Sequence, residues 1–356
     1  MHETRGVSYL GAPIAVRGLP AGFSFRTPDE RDVPDVVALL SANRSPGDKP
    51  VDVEGATANL VGLGSWTRRQ VVVQDPVGRL LAWAVVHDRA AGRTNVELTV
   101  ARGPADSEVA QALLGWADAT AGVVARLRGH PQTQLDATPA AVDVRQQAWL
   151  AAAGYRQVRS WLHMLRPVSA TDGQAVVATA PKPGVTVRRV REHANGLPVA
   201  TDVQTVHQVL EESFADHFNS YREGFGEFVV RLREDPWHRW DHWWIATIDL
   251  DGGSEPGGVL ISSVSPPDAE GRYGSYIDYI GVHRRARGRG VAKALLRTVI
   301  ADTAQRGRAW VGLEVDADSP TGADGLYRSL GWETDHIAHS WHRDVPAAPT
   351  DLDPAD

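Results

Sequence analysis

The sequence predicts an α/β protein made of two tandem halves, and three observations lead there. The chain has 356 residues, and length divided by about 150 gives a prior of roughly two domains. One order of strands and helices is read twice along it, the sign of an internal duplication. Between the two readings, Ser169 to Gly184 contains Ser-Ala-Thr-Asp-Gly-Gln-Ala and Pro181-Lys182-Pro183-Gly184, little that could pack, and reads as a linker. The halves are therefore residues 1–168 and 185–345, joined by 169–184. Residues 346–356, rich in Pro, Ala and Asp, read as a flexible tail.

Each half opens with a short strand, Phe23 to Arg26 and Val185 to Arg188. A helix follows, started by Pro34 and running through Leu40 in the first half, and from about Asp202 to Phe214 in the second. Hairpin strands come next: Gln70 to Gln74 and Leu80 to His87 flank Asp75-Pro76-Val77-Gly78, and Trp244 to Ile248 and Val259 to Ser263 flank the Gly-rich Asp251 to Gly258. A third strand spans Asn95 to Val100 and Ser275 to Val282. Then come a helix, Glu108 to Thr120 and Val291 to Arg306, and a strand, Val123 to Leu127 and Ala309 to Val315. Each half closes with a helix capped by glycine before an aromatic, Gly154-Tyr155 and Gly331-Trp332, and a final strand.

Composition narrows the function. A formal net charge of -7 argues against nucleic acid as partner, because phosphate backbones are bound by clustered Lys and Arg. The absence of cysteine removes disulfides, thiolate nucleophiles and Cys-ligated zinc. The early apolar run Gly11 to Val16 is short and broken by Pro13, so no signal peptide is read. Gln70 to Val86 is interrupted by Asp75, Pro76 and Arg79 and cannot span a membrane. A soluble, cytoplasmic protein is expected, and the Ala, Arg, Val and Gly bias points to a GC-rich bacterial genome. No His/Asp/Glu set has metal-ligand spacing.

Residues Tyr276 to Ala292 read strand, turn, glycine-rich loop and helix. Gly288 and Gly290 let backbone N–H groups turn toward a ligand, and the following helix adds the positive end of its dipole. Arg284, Arg285, Arg287 and Arg289 surround this loop in an acidic chain, a geometry that suits phosphate. A Walker loop is excluded because no Gly-Lys-Ser/Thr follows, and a dinucleotide fingerprint is disfavoured by the loop's late position.

The loop resembles motif A of the GNAT acetyltransferases, matched by Arg287-x-x-Gly290-x-Ala292, with Gly281-Val282-His283 closing the strand before it. Leu313 to Ala317 looks like that family's next strand and Leu326 to Trp332 like its motif B. The resemblance is close over Val185 to Val345 and loose over Phe23 to Arg166, so the chain looks like a tandem GNAT protein. It implies two GNAT domains, each a mixed central β-sheet flanked by helices, with acetyl-CoA as co-substrate and a small-molecule amine as acceptor. It further implies that the backbone of Ile280 and Val282 pairs with the pantetheine arm. Arg287, Gly288, Arg289, Gly290, Val291 and Ala292 would wrap the pyrophosphate, and Tyr327 would protonate the leaving thiolate. Ser319 stands where family members commonly have Asn.

An amine acceptor must lose a proton before it attacks. Asp278 is the leading candidate base, sharing a strand face with Tyr276 and Ile280 by the period of 2; a salt-bridged carboxylate at a sheet rim is the alternative. Glu314 and Asp316 end the neighbouring strand. Asp235 to Trp244 holds four Trp and two His, as an acceptor site or as core and interface filling. His207 and His217, on or beside a helix, read as surface groups.

The first half lacks this equipment. Its loop carries Pro104, Asp106 and Glu108, which remove a donor and repel phosphate, and Leu150 takes the place of Tyr327. It reads as a degenerate copy that shapes the acceptor pocket or stabilises the second half. A non-catalytic acyl-CoA-binding or interaction module is the alternative function, with a nucleotide-binding oxidoreductase or kinase behind it. Acceptors in view are an aminated secondary metabolite or antibiotic and a cysteinyl amine. Both a monomer and a homodimer fit, because a tandem pair mimics a dimer.

Overall fold

A computed structural model describes residues 14–44, 49–89, 92–177, 180–215, 223–319 and 322–349. The first half runs β1 (Ser24–Arg26), α1 (Val33–Asn43), α2 (Val53–Leu60), β2 (Arg68–Gln74), β3 (Leu80–Asp88), β4 (Arg93–Val100), α3 (Asp106–Leu127), β5 (Gln132–Ala137), α4 (Val144–Ala152) and β6 (Arg156–Pro167). The stretch read as a linker carries α5 (Ala170–Val177), which packs on a helix of the second half. The order then repeats as β7 (Val185–Arg189), α6 (Ala200–Phe214), α7 (Phe225–Glu234), β8 (His238–Leu250), β9 (Gly253–Ser265), β10 (Gly274–Val282), α8 (Val291–Gln305), β11 (Trp310–Asp316), α9 (Ala323–Arg328) and β12 (Glu333–Pro346).

All strands join one 12-stranded mixed sheet in the order β1-β2-β3-β4-β5-β12-β6-β11-β10-β9-β8-β7. The closing strands of the two halves are exchanged. β12 pairs antiparallel with β5, Trp341 opposite Ala137, and β6 pairs antiparallel with β11, Val311 opposite Arg166. β6 and β12 also pair with each other at the centre.

Apolar clusters cover both faces of each half. Val71, Val73, Ala84 and Val86 pack against α3, while Val72, Trp83 and Val85 on the other face meet α1 and α2. In the second half Leu260, Ile277, Val311 and Leu313 pack against α8, and Val259, Ile261 and Trp243 against α6 and α7. Strands buried on both faces read as continuous apolar runs, which is why they were legible. The halves also meet through polar contacts: Glu234 accepts from Thr67 Oγ1 at 2.6 Å and Arg68 Nη1 at 2.8 Å, and Trp237 Nε1 donates to Asp52 Oδ2 at 3.0 Å.

Several expectations need correction. Val123 to Leu127 is the last part of α3, and the strand lies at Gln132–Ala137. β8 begins already at His238, and α2 and α7 were not anticipated. In the tail, Ala347 and Ala348 donate to Pro131 O and Gly122 O; residues 350–356 lie outside the described residues, as does His217. No described helix is long and apolar enough to cross a membrane.

Candidate functional site

The site begins where β10 and β11 part. They pair in parallel only over Ser275–Ile277 and Val311–Leu313, although both strands continue. His283 N–H donates to Gly257 O of β9 at 3.0 Å, so residue 283 faces β9. Main-chain groups alternate along a strand, and Ile280 and Val282 therefore present their N–H and C=O to the opened gap. Their side chains rest on the α8 cluster.

The loop after β10 closes this gap at one end. His283 Nδ1 accepts the Arg285 N–H at 3.2 Å and its Nε2 lies 2.9 Å from Glu212 of α6, fixing the start of the loop. Ala286 is fully buried and anchors the middle. Gly288 and Gly290 have φ of 76° and 85°, the left-handed region that side chains disfavour. Gly290 is the N-cap of α8, so the first-turn N–H groups, including those of Val291 and Ala292, have no acceptor within the helix. A Cβ on Gly288 would meet nothing within 4 Å. Arg287 and Arg289 are exposed beside it; Arg289 Nη1 reaches Asp249 O at 3.4 Å, and Arg285 pairs with Glu255 at 2.9 Å. Among the described residues Arg284 and Arg287 have no carboxylate partner. The loop thus offers donors and net positive charge to an anion.

Tyr327 on α9 is 7% exposed, packs edge-on to Trp332, and joins the cluster of Ile277, Leu313, Val315, Ile280 and Val282 that lines one side of the gap. Burial pushes its phenol up to about 12, so it holds its proton at neutral pH. Ser319 lies in the turn after β11, its N–H donating to Asp316 O at 3.1 Å.

Asp278 lies on the opposite face. Its Oδ1 accepts from Ser263 Oγ at 3.2 Å, and its Oδ2 is shielded from solvent without a hydrogen-bond partner among the described residues. Burial, with Asp235 adding repulsion, pushes this carboxyl up to about 8. The face expected to hold Tyr276, Asp278 and Ile280 together is not formed. The register shifts between Ile277 and Tyr279, a bulge that breaks the alternation at Asp278, so Tyr279 turns toward α6 and α7 while Ile280 turns toward α8. Ser263 went unnoticed in the sequence because its only signal is the register of β9 on β10. Glu314, paired with His163 of β6 at 3.1 Å, is also raised by burial, to about 7. Asp316 is held by Arg159 at 3.3 Å.

The Trp and His segment is mostly packing. Trp243 and Trp244 are buried on opposite faces of β8, and Trp237 bridges to the first half. His238 touches Trp240 and Trp243 and is pushed down to about 4 by burial. His207 Nε2 lies 3.0 Å from Glu223 O. Among the described residues no group of three or more His, Asp or Glu is placed to hold a metal ion.

The same gap exists in the first half and is filled. β4 and β5 pair only over Arg93–Asn95 and Gln134–Asp136. Ala101 N–H donates to Leu81 O, as His283 does to Gly257 O, so Leu98 and Val100 correspond to Ile280 and Val282. Here Gln146 Nε2 donates to Leu98 O at 3.2 Å and Arg145 Nη2 to Val100 O at 3.1 Å. Counting back from Gly154 and Gly331, the second half has Gly322 and Ala323 at these two places. One copy stoppers its gap with long side chains, and the other has glycine and alanine at those two places.

Comparison with known proteins follows the same line. Residues 207–332 match the model of the acetyltransferase (GNAT) family. A mycothiol acetyltransferase of Kocuria rhizophila is 27% identical over 317 residues, 87% of this chain and 94% of that relative. Among solved structures, a GCN5-related N-acetyltransferase from Sphaerobacter thermophilus superposes with a TM-score of 0.68 at 24% identity, covering 93% of this chain and 98% of its own. A tandem GNAT protein from the clavulanic acid biosynthesis pathway gives 0.62 at 16% identity, covering 92% of this chain and 100% of its own.

Proposed function

The chain belongs to the GNAT acetyltransferase family, and on that premise we propose that its C-terminal half carries the one acyl-CoA site and transfers acetyl from acetyl-CoA to the amine of a small molecule. The observation that carries this reading is the contrast between the gaps: the carbonyls of Leu98 and Val100 are taken by Arg145 and Gln146, whereas Gly322 and Ala323 leave those of Ile280 and Val282 to a ligand. The open gap fits an extended arm that pairs like an added strand. The Arg287–Ala292 loop, with its left-handed glycines and helix N-terminus, fits a pyrophosphate.

Bound acetyl-CoA would supply the thioester carbonyl. Asp278 then takes the proton of the acceptor amine, a task suited to a carboxyl raised to about 8. Tyr327, from the other side of the gap, gives its proton to the departing sulfur. With the two groups on opposite faces, the acceptor attacks directly in a ternary complex. The first half and the strand it lends, β6, serve the reading as scaffold, in a cytoplasmic protein that acts as a monomer or homodimer. An acceptor related to that of the mycothiol acetyltransferase is the second reading, favoured by that relative's coverage of 94% of its length.

Calorimetric titration of acetyl-CoA tests the proposal. Wild type should bind one equivalent, and the Arg287→Ala, Gly290→Glu double variant none. Thiol release in the presence of an amine panel then identifies the acceptor. Failure of wild type to bind would move the protein to the non-catalytic reading, and two equivalents would restore a site to the first half.

A further inference from the structure

We propose that Lys182, in the segment joining the halves, is a phosphate ligand of the acyl-CoA site, an inference that rests on the reading above. The sequence uses lysine sparingly, with Lys49, Lys182 and Lys293 the only three among 37 Lys and Arg. Two of the three stand at the N-terminal end of α8. Lys293 is in its first turn, and Lys182 lies over its cap.

The placement of Lys182 follows from the stem. A Cβ built on Gly290 would lie 3.2 Å from Lys182 Cδ, 3.4 Å from Cγ and 3.5 Å from Cε. The side chain therefore lies over Gly290, the N-cap of α8, with Nζ one bond beyond Cε. Its backbone is held on three sides. Pro181 and Pro183 restrict φ on either side, the Lys182 carbonyl accepts the Val185 N–H at 3.0 Å where β7 begins, and α5 packs against α8.

No carboxylate pairs with Lys182 among the described residues. An ammonium brought to the positive end of a helix dipole, beside Arg287 and Arg289, is repelled by all three unless an anion lies among them. The first half shows the neutralised version. There α3 starts with Asp106 and Glu108, and Asp106 pairs with Arg145 at 3.1 Å. Lysine suits a phosphate that is held as a point charge on a flexible stem, in contrast to the fixed fork of arginine. The linker would thus bind the co-substrate as well as join the halves.

The test is titration of acetyl-CoA and of its analogue lacking the 3′-phosphate into wild type, Lys182→Ala, Lys182→Gln and Lys182→Arg, at several salt concentrations. Lys182→Ala should weaken acetyl-CoA about tenfold, the scale of one charge-assisted hydrogen bond, with a shallower salt dependence. Lys182→Gln should match it and Lys182→Arg should recover most of the affinity. A loss confined to acetyl-CoA assigns Lys182 to the 3′-phosphate, and a loss shared with the analogue assigns it to the pyrophosphate. Thermal midpoints of the unliganded variants report folding, and Lys182→Gln serves if Lys182→Ala proves unstable. Wild-type affinity in the neutral variants overturns the proposal, as does a loss with unchanged salt dependence, the mark of a packing role. Absence of binding to wild type would instead overturn the acetyltransferase reading itself.

Discussion

Asp278 combines two demands that oppose each other. A carboxyl with an ordinary value near 4 when unfolded, pushed up to about 8 by burial in the folded chain, binds its proton more tightly in the folded state. The resulting stability is fully present below about pH 4 and is lost as pH rises through about 8. The proposed base role requires the ionised form that folding disfavours. We expect kcat/KM to rise with pH to an inflection near 8, and Asp278→Asn to abolish that limb with a loss of about 10²-fold or more. The same variant should melt higher than wild type at alkaline pH, because it removes a buried charge. Tyr327, raised to about 12, stays protonated across this range and adds no falling limb. A pH profile unchanged by Asp278→Asn would remove Asp278 from the reaction.

At the scale of elements, the position of α8 depends on what β9 leaves out. A Cβ on Gly258 would lie 2.6 Å from Val291 Cγ1 and 3.0 Å from Gly281 O, so the first turn of α8 seats directly on the sheet. Gly258→Ala should cost about 1–3 kcal/mol in denaturant unfolding and weaken acetyl-CoA binding as the N-terminus of α8 is displaced. An unaltered affinity would mean that the loop adjusts independently of the helix. The glycine loop and α8 were legible in the sequence because a strand, two glycines and an amphipathic helix stand in immediate succession. The end of α3 was not. Gly122 followed by Val123 and Val124 looks like a helix break and a new strand, but this glycine is there for close approach: a Cβ would lie 3.0 Å from Pro346 O. Likewise Asp278 was picked out as a candidate base by spacing along a strand, whereas its actual orientation comes from a bulge that only pairing with β9 reveals.

At the scale of the whole molecule, the duplication was read from local patterns, but the exchange of β6 and β12 was hidden because every pairing involved is remote in sequence. Each half by itself leaves its fifth strand without its neighbour. Fragments 1–179 and 180–356, expressed separately, should therefore expose open strand edges and aggregate, whereas co-expression should give a complex of one copy each that binds acetyl-CoA. Size-exclusion chromatography and calorimetry check this, and a monomeric 180–356 fragment with wild-type affinity would contradict it. The exchange also bears on how the chain is made. β12, which sits between β5 and β6, is made after β1 to β11. The first half, though synthesised long before, has to wait with an unfilled place in its sheet until β12 emerges, and so depends on that interval being short or chaperoned.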